Sequence, residues 1–355
     1  MRDSFGWSPT GIDLSLPAVG RMYDYLLGGA HNFAIDRAAV ERAVAALPFL
    51  PLVARANRDF LRRAVLFMIG EGVDQFLDLG SGIPTVGNVH QIAQRANPNA
   101  RTVYVDIDPV AVAHAHALLH DDPNSAAVLG DLRHYGQVLA DPAVQRLIDW
   151  GRPVGVLMVA VLHFIPDHDD PGAVIAAYRT RMASGSYLAL SHASRDGQPA
   201  ELDAAVDAAA RAYDDTGTGL VFRTSTQLAQ LMDGFSLVAP GIVQVPNWRP
   251  ERGTDADDPD PWRHGLAGLG HVPDAQREGK PCGRDTAGRP TNRRVLEHGQ
   301  NPGAATASLP PLAAAFNATA GRFATRPAPV LHRVVPTKTG RGHRCRRSFP
   351  EWPAR

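Results

Sequence analysis

The chain has 355 residues, 44% of them hydrophobic, with 36 basic and 36 acidic side chains, enough for one large core and an appendage. No stretch approaches the roughly 18 consecutive apolar residues of a membrane helix, and the first ten residues lack a signal-peptide-like apolar run, so a cytoplasmic protein with no membrane partner is expected. The charge is uneven: fifteen basic but five acidic residues lie from 271 onward, which leaves an acidic body that disfavours nucleic acid.

Residues 1–19 lack periodicity. Helical apolar spacing runs over Arg21–Leu27 and stops at Gly28-Gly29. Asp36–Leu47 and Leu52–Ile69 read as amphipathic helices separated by Pro48 and Pro51. Short apolar runs and helices then alternate. The expected strands are Gln75–Leu79, Thr102–Val105, Ala126–Leu129, Val154–Leu162 and Tyr187–Ser191. The expected helices are Val86–Ala96, Pro109–Leu119, Pro142–Ile148, Pro171–Met182, Leu202–Tyr213 and Thr224–Met232. Phe235–Val238 and Ile242–Val245 read as a closing hairpin. Val154–Leu162 has no polar alternation, as a strand covered on both faces requires. The repeat is that of an α/β fold with a mostly parallel sheet.

After about Trp262 the chain becomes rich in Arg, Pro and Gly, a composition expected to be disordered. Both lysines, Lys280 and Lys338, and both cysteines, Cys282 and Cys345, lie there. An appended segment and a shifted reading frame would each give this contrast. The body therefore has no disulfide and no thiolate metal site. It also has no His-Glu-x-x-His, and no metal is expected despite fourteen histidines. A phosphate-binding G-x-x-x-x-G-K-[ST] loop and a Gly-x-Ser-x-Gly nucleophile elbow are both absent.

The strongest local signal is Asp78-Leu79-Gly80-Ser81-Gly82, at the end of the first strand and opening toward a helix. Glycines there admit a ligand to the backbone, at the strand end where open α/β sheets bind ligands. A dinucleotide fingerprint needs a third glycine where Thr85 stands. Asp78 would sit badly beside a pyrophosphate and well beside an ammonium, which favours S-adenosylmethionine, a sulfonium with an amino group and no phosphate. Asp106, ending the second strand, can accept both hydrogen bonds of a ribose diol, with Asp108 capping the next helix ahead of Pro109. Gly130-Asp131-Leu132 follows the third strand; Asp131 can accept from an adenine amino group and Leu132 can cover the ring. Ile107, beside Asp106, and Ala160, near the end of the fourth strand, complete this part of the candidate set.

The fourth strand runs into His163. A histidine there is placed to touch the adenosyl group or the acceptor, or to act as a general base; the plainer alternative is a histidine packed beneath the next loop. Methyl transfer from a sulfonium often needs alignment more than a strong base. The Asn/Asp-Pro-Pro-aromatic signature of many amino-methylating enzymes of DNA and glutamine is missing.

Together these residues resemble a class I methyltransferase. More narrowly, the chain resembles the mainly actinobacterial S-adenosyl methyltransferase family, formerly a domain of unknown function. The resemblance spans about 17–265. It is carried by Arg21-Met22-Tyr23-Asp24-Tyr25-Leu26-Leu27-Gly28-Gly29-Ala30-His31-Asn32-Phe33, by residues 54–65 (ARANRDFLRRAV), by the Asp78 and Asp106 motifs, by residues 159–167 (VAVLHFIPD) and by Tyr187-Leu188-Ala189-Leu190-Ser191-His192.

It implies a Rossmann-like sheet of seven strands, the last antiparallel. Residues 1–72 would form a leader and helical lid, 73–265 the binding domain, and 266–355 the tail. Asp78, Gly80 and Gly82 would lie at the methionine moiety, with Ser81 between the glycines also binding the cofactor, Asp106 at the ribose, and Asp131 and Leu132 at the adenine. Tyr23, His31 and Asn32 would be lid contacts; Tyr23 reads equally as a core aromatic. The acceptor is left unspecified. A small molecule is the first expectation, and a ligand-binding regulator that performs no catalysis is the competing reading. A nicotinamide dehydrogenase is a weaker third. Oligomeric state is not legible.

Overall fold

The computed structural model describes residues 15–84, 87–251 and 264–273, all within the first of two contact units, Met1–Pro290. Thr85, both cysteines and most of the expected tail lie outside the described residues.

Three helices come first: α1 (Val19–Leu26), α2 (Ala34–Ala46) and α3 (Leu50–Gly70). The alternating part follows as β1 (Gln75–Leu79), α4 (Val89–Ala96), β2 (Arg101–Asp106), α5 (Pro109–Leu118), β3 (Ser125–Leu129), α6 (Tyr135–Ala140), α7 (Pro142–Leu147), β4 (Gly155–Val159), α8 (Pro171–Arg179) and β5 (Tyr187–His192). Then come α9 (Asp203–Ala210), α10 (Ser225–Leu231), β6 (Ser236–Leu237), β7 (Val243–Gln244) and β8 (Leu266–His271).

The sheet runs β3–β2–β1–β4–β5–β8–β6, with β7 also on β8. The first five strands are parallel. β8 is antiparallel to β5 and to the short strands on its other edge.

Alternation along the buried strands feeds two cores. Phe76 and Leu157 face the side covered by α3 and α4, with Phe60, Met68 and Trp248. Leu77, Leu79, Val103 and Val156 face the side covered by α6, α7 and α8, with Tyr178. Asp78 is the one ionisable residue of β1, and its position at the carboxyl end delivers it to the site.

Two sequence expectations are corrected here. The expected hairpin does not form. β6 and β7 do not pair with each other but lie in line on one edge of β8, as one strand interrupted around Ala239-Pro240-Gly241. The sheet is seven-stranded in layout, with its sixth strand in two pieces. The boundary at 265 is also wrong, because β8 lies beyond it and fills the gap between β5 and the β6/β7 edge. Leu266-Ala267-Gly268-Leu269-Gly270-His271 is mixed apolar and glycine rather than β-branched, so it resembled its glycine-rich surroundings. Gly268 and Gly270 answer to packing: a Cβ at Gly270 would press on Phe235 and Met232 at 2.7 and 2.9 Å.

α1 and α2 pack through Met22, Leu26 and Val40, joined by Ala54 of α3. α2 packs on α9 through Ala43, Leu47, Val206 and Ala209. The N-terminal helices and α9 thus make one apolar layer.

Candidate active site

The glycine turn after β1 is bound to the end of β2. Gly80 N and Ser81 N both donate to Val105 O, at 2.8 and 3.2 Å. Gly82 N donates to Asp106 Oδ2 at 2.7 Å, and Asp108 N donates to Asp106 Oδ1 at 2.8 Å. Gly80 has φ +73°, and a Cβ there would overlap the Val161 side chain. Glycine is required on both counts. Asp108 caps α5 as its place before Pro109 predicts, accepting from Val110 N at 2.9 Å.

Burial dominates the electrostatics. It raises the Asp78 carboxyl to about 7, with nearby Arg58 opposing and Asp106 adding. It raises Asp106 to about 6, against the hydrogen bonds from Asp108 N and Gly82 N. A cationic ligand group would favour the charged form of either. Asp131 differs: although burial pushes its pKa upward, the hydrogen bonds and charge of Arg133 bring it below the usual range. Arg133 Nε grips both of its oxygens, at 3.0 and 2.9 Å.

A cavity of about 340 Å³ opens over the carboxyl ends of β1–β5. Asp78, Gly80, Ser81, Gly82, Asp106, Ile107, Asp131, Leu132, Ala160, Tyr23 and His163 all line it. Ile107 is 61% exposed, a large apolar surface left for a ligand to cover, while Leu132 is buried. The acidic edge, the glycine cradle and the open Ile107 fit an adenosyl ligand with an ammonium group.

His31 and Asn32 do not line the cavity. They fold the loop after α1 around the buried Asp24 carboxylate: His31 N and Asn32 Nδ2 donate to Asp24 Oδ2 at 2.9 and 2.8 Å. Their place in a specific motif reflects this turn, where a Cβ at Gly29 would overlap Asp24.

Tyr23 lines the cavity, with its hydroxyl committed to the fold. It donates to Ala54 O at 2.9 Å and accepts from Asn57 Nδ2 at 3.0 Å. Asn57 Oδ1 accepts from Ser191 Oγ at 2.6 Å, and Ser191 Oγ accepts from Ala160 N at 2.9 Å. Ala160 has φ 57°, a left-handed conformation costly for alanine. This chain ties the first helix to the strained end of β4.

His163 sits in a short turn, Leu162–Phe164, just after β4. Its Nδ1 accepts from Ala193 N at 3.2 Å. The lone pair is therefore on Nδ1 and the proton on Nε2. Burial, His192 and Arg223 hold the ring well below its ordinary pKa. His192 is fixed in the opposite tautomer: Nδ1 donates to Ala193 O at 2.7 Å, and Nε2 accepts from Arg223 Nη1 at 2.8 Å. Neither ring offers a free lone pair, so the geometry does not support a base at His163.

Arg58, Asn57, Ser191 and Tyr213 also line the cavity, and sequence reading did not single them out. Asn57 had a signal: a polar residue on the same helical face as Phe60, Leu61 and Ala64, whose side chains are buried.

This fold and this strand-end site define a Rossmann-like class I methyltransferase. The chain belongs to the S-adenosyl methyltransferase family, which matches residues 6–273. A solved candidate methyltransferase from Thermobifida fusca is 41% identical, over 76% of this chain and 100% of that one, with a TM-score of 0.70. A solved DUF574 family protein from Streptomyces avermitilis is 34% identical, over 73% of this chain and 98% of that one, with a TM-score of 0.68. No curated protein matches the chain. The protein is an S-adenosyl-L-methionine-dependent methyltransferase, which decides against the nicotinamide reading.

Proposed function

We propose that this methyltransferase acts on a small-molecule acceptor inside the cavity, with the methyl donor lying across the ends of β1, β2 and β3. Asp78 receives the donor's ammonium and Arg58 its carboxylate. Gly80, Ser81 and Gly82 let the methionyl part approach the backbone. Asp106 holds the ribose diol. Ile107 and Leu132 sandwich the adenine, and Asp131 accepts from its amino group. Tyr23 and Ala160 border the donor through the hydrogen-bond chain that fixes them.

The observation that carries this reading is the continuity of one cavity. It runs from the acidic strand ends to apolar walls supplied by the helical layer, including Leu26, Leu47 and Val206. Such a concave, mostly apolar space with a few polar groups suits a small ligand.

Calorimetric titration of the full chain with S-adenosylmethionine, its demethylated product and NAD tests it. Saturable binding of the two adenosyl ligands, lost in Asp106→Ala, is expected. Unchanged affinity in that variant would remove the ribose assignment.

A further inference from the structure

The cavity has two chemically different ends. All the carboxylates lining it among the described residues, Asp78, Asp106, Asp108 and Asp131, belong to the ends of β1–β3. The other end lies beyond β4 and β5, beneath α1, α2 and α9. Its walls include Leu26, Leu47, Phe164, Tyr213 and Phe222. This wide apolar and aromatic space favours a flat hydrophobic body.

The polar groups at that end are unusual for a transferase expected to remove a proton. The lone pair of His163 is taken by Ala193 N, and that of His192 by Arg223. What His163 can present to a ligand is Nε2–H. Burial, with Tyr23 nearby, pushes the Tyr213 phenol up to about 12, so it too is a neutral donor. No carboxylate at this end would hold an ammonium, and neither His163 nor His192 is free to take a proton from an alcohol; the third lining histidine, His264, is stacked on Phe49 with ring centroids 5.1 Å apart.

We propose that the acceptor is an aromatic oxyanion, an aryl carboxylate or an acidic phenolate, held by the Nε2–H of His163 and methylated on oxygen with neither His163 nor His192 acting as a base. This deepens the small-molecule reading above and rests on it. The step balances without proton transfer. A lone pair of the acceptor oxygen forms the O–CH3 bond while the C–S bond of the sulfonium breaks. The bonding pair stays on sulfur, leaving a neutral thioether and a neutral ester or ether. Anion and cation vanish together, which a low-dielectric cavity favours. His163 orients the nucleophile rather than activating it.

The test uses the full chain loaded with S-adenosylhomocysteine. Three probes of one shape are titrated: 2-naphthoate, 2-naphthamide and 2-naphthylmethylammonium. Naphthoate is expected to bind saturably and the ammonium not at all, with the amide weaker than naphthoate by about tenfold, the scale of a charge-assisted hydrogen bond. His163→Phe keeps the ring volume and should weaken naphthoate by about tenfold while leaving S-adenosylhomocysteine affinity unchanged; His163→Gln, which retains a donor, should recover part of the loss. Equal or tighter binding of the ammonium, or naphthoate affinity indifferent to His163→Phe, would overturn the proposal. S-adenosylhomocysteine binding without naphthoate binding would overturn it alone and spare the cofactor assignments. Failure to bind S-adenosylhomocysteine would remove the underlying reading and this proposal with it.

Discussion

Arg21 Nη1 lies 3.1 Å from Asp108 Oδ2, and its Nε lies 2.9 Å from Asp36 Oδ2. Both carboxylates and the guanidinium are buried. One side chain of α1 thus locks the start of α2 to the cap of α5, and Asp108 in turn donates its backbone N–H to Asp106. Arg21→Met would leave two buried carboxylates without their cation. A loss of roughly 3–5 kcal/mol of stability is expected, with weaker binding of S-adenosylhomocysteine through the disturbed Asp106. Thermal unfolding with and without ligand measures both. A Tm near that of the parent would show that the pair is not holding the helices.

The raised carboxyls predict a pH signature. Asp78, at about 7, and Asp106, at about 6, are protonated more readily in the folded chain than in the unfolded one. Their contribution to stability is therefore fully present below about pH 4 and lost as pH rises through 6 to 7. An ammonium held at Asp78 as proposed would favour its charged form, so cofactor affinity should run the other way, rising with pH through about 7 and then levelling. Near pH 6.5 binding should release protons. Calorimetry in buffers of different ionisation enthalpy detects them, and Asp78→Asn should reduce the release.

That Asp78 and Asp106 line one cavity was readable because parallel strands end in register. Asp78 and Asp106 follow apolar runs whose carboxyl ends the sheet aligns, so linear order predicts spatial order. The His31–Asn32 segment misled for a physical reason: a distinctive string can encode a turn around a buried carboxylate, here Asp24, as well as a contact. The state of His163 was not legible, since it depends on Ala193 N, a backbone group 30 residues away. Asn57 and Ser191 lie 134 residues apart, and nothing local announces their pairing.

That pairing yields a separate expectation. Ser191→Ala removes the donor to Asn57 Oδ1 and the shorter of the two hydrogen bonds of Ala160 N, which keeps only the Ser191 carbonyl at 3.3 Å. Leaving the buried Asn57 Oδ1 unmet costs about 1–3 kcal/mol, and Ala160, held by one hydrogen bond fewer, would be freer to leave its left-handed conformation. Stability should fall by about that amount, and S-adenosylhomocysteine should dissociate faster. Tyr23→Phe, at the far end of the chain, should have a milder effect of the same sign. Stopped-flow dissociation compares the two, and a larger effect in Tyr23→Phe would refute the order.

Two truncations place the end of the folded body. A chain ending at 265 loses β8, which pairs with β5 over six residues and carries β6 and β7 on its other edge. It exposes the edge of β5 and strips the cover from Phe235 and Met232, and should not give a cooperative unfolding transition. A chain ending at 273 keeps every described element and the whole matched span. It should unfold cooperatively and bind S-adenosylhomocysteine with the affinity of the full chain. Equal behaviour of the two truncations would mean that β8 is dispensable. Loss of binding at 273 would mean that residues beyond it contribute to the site.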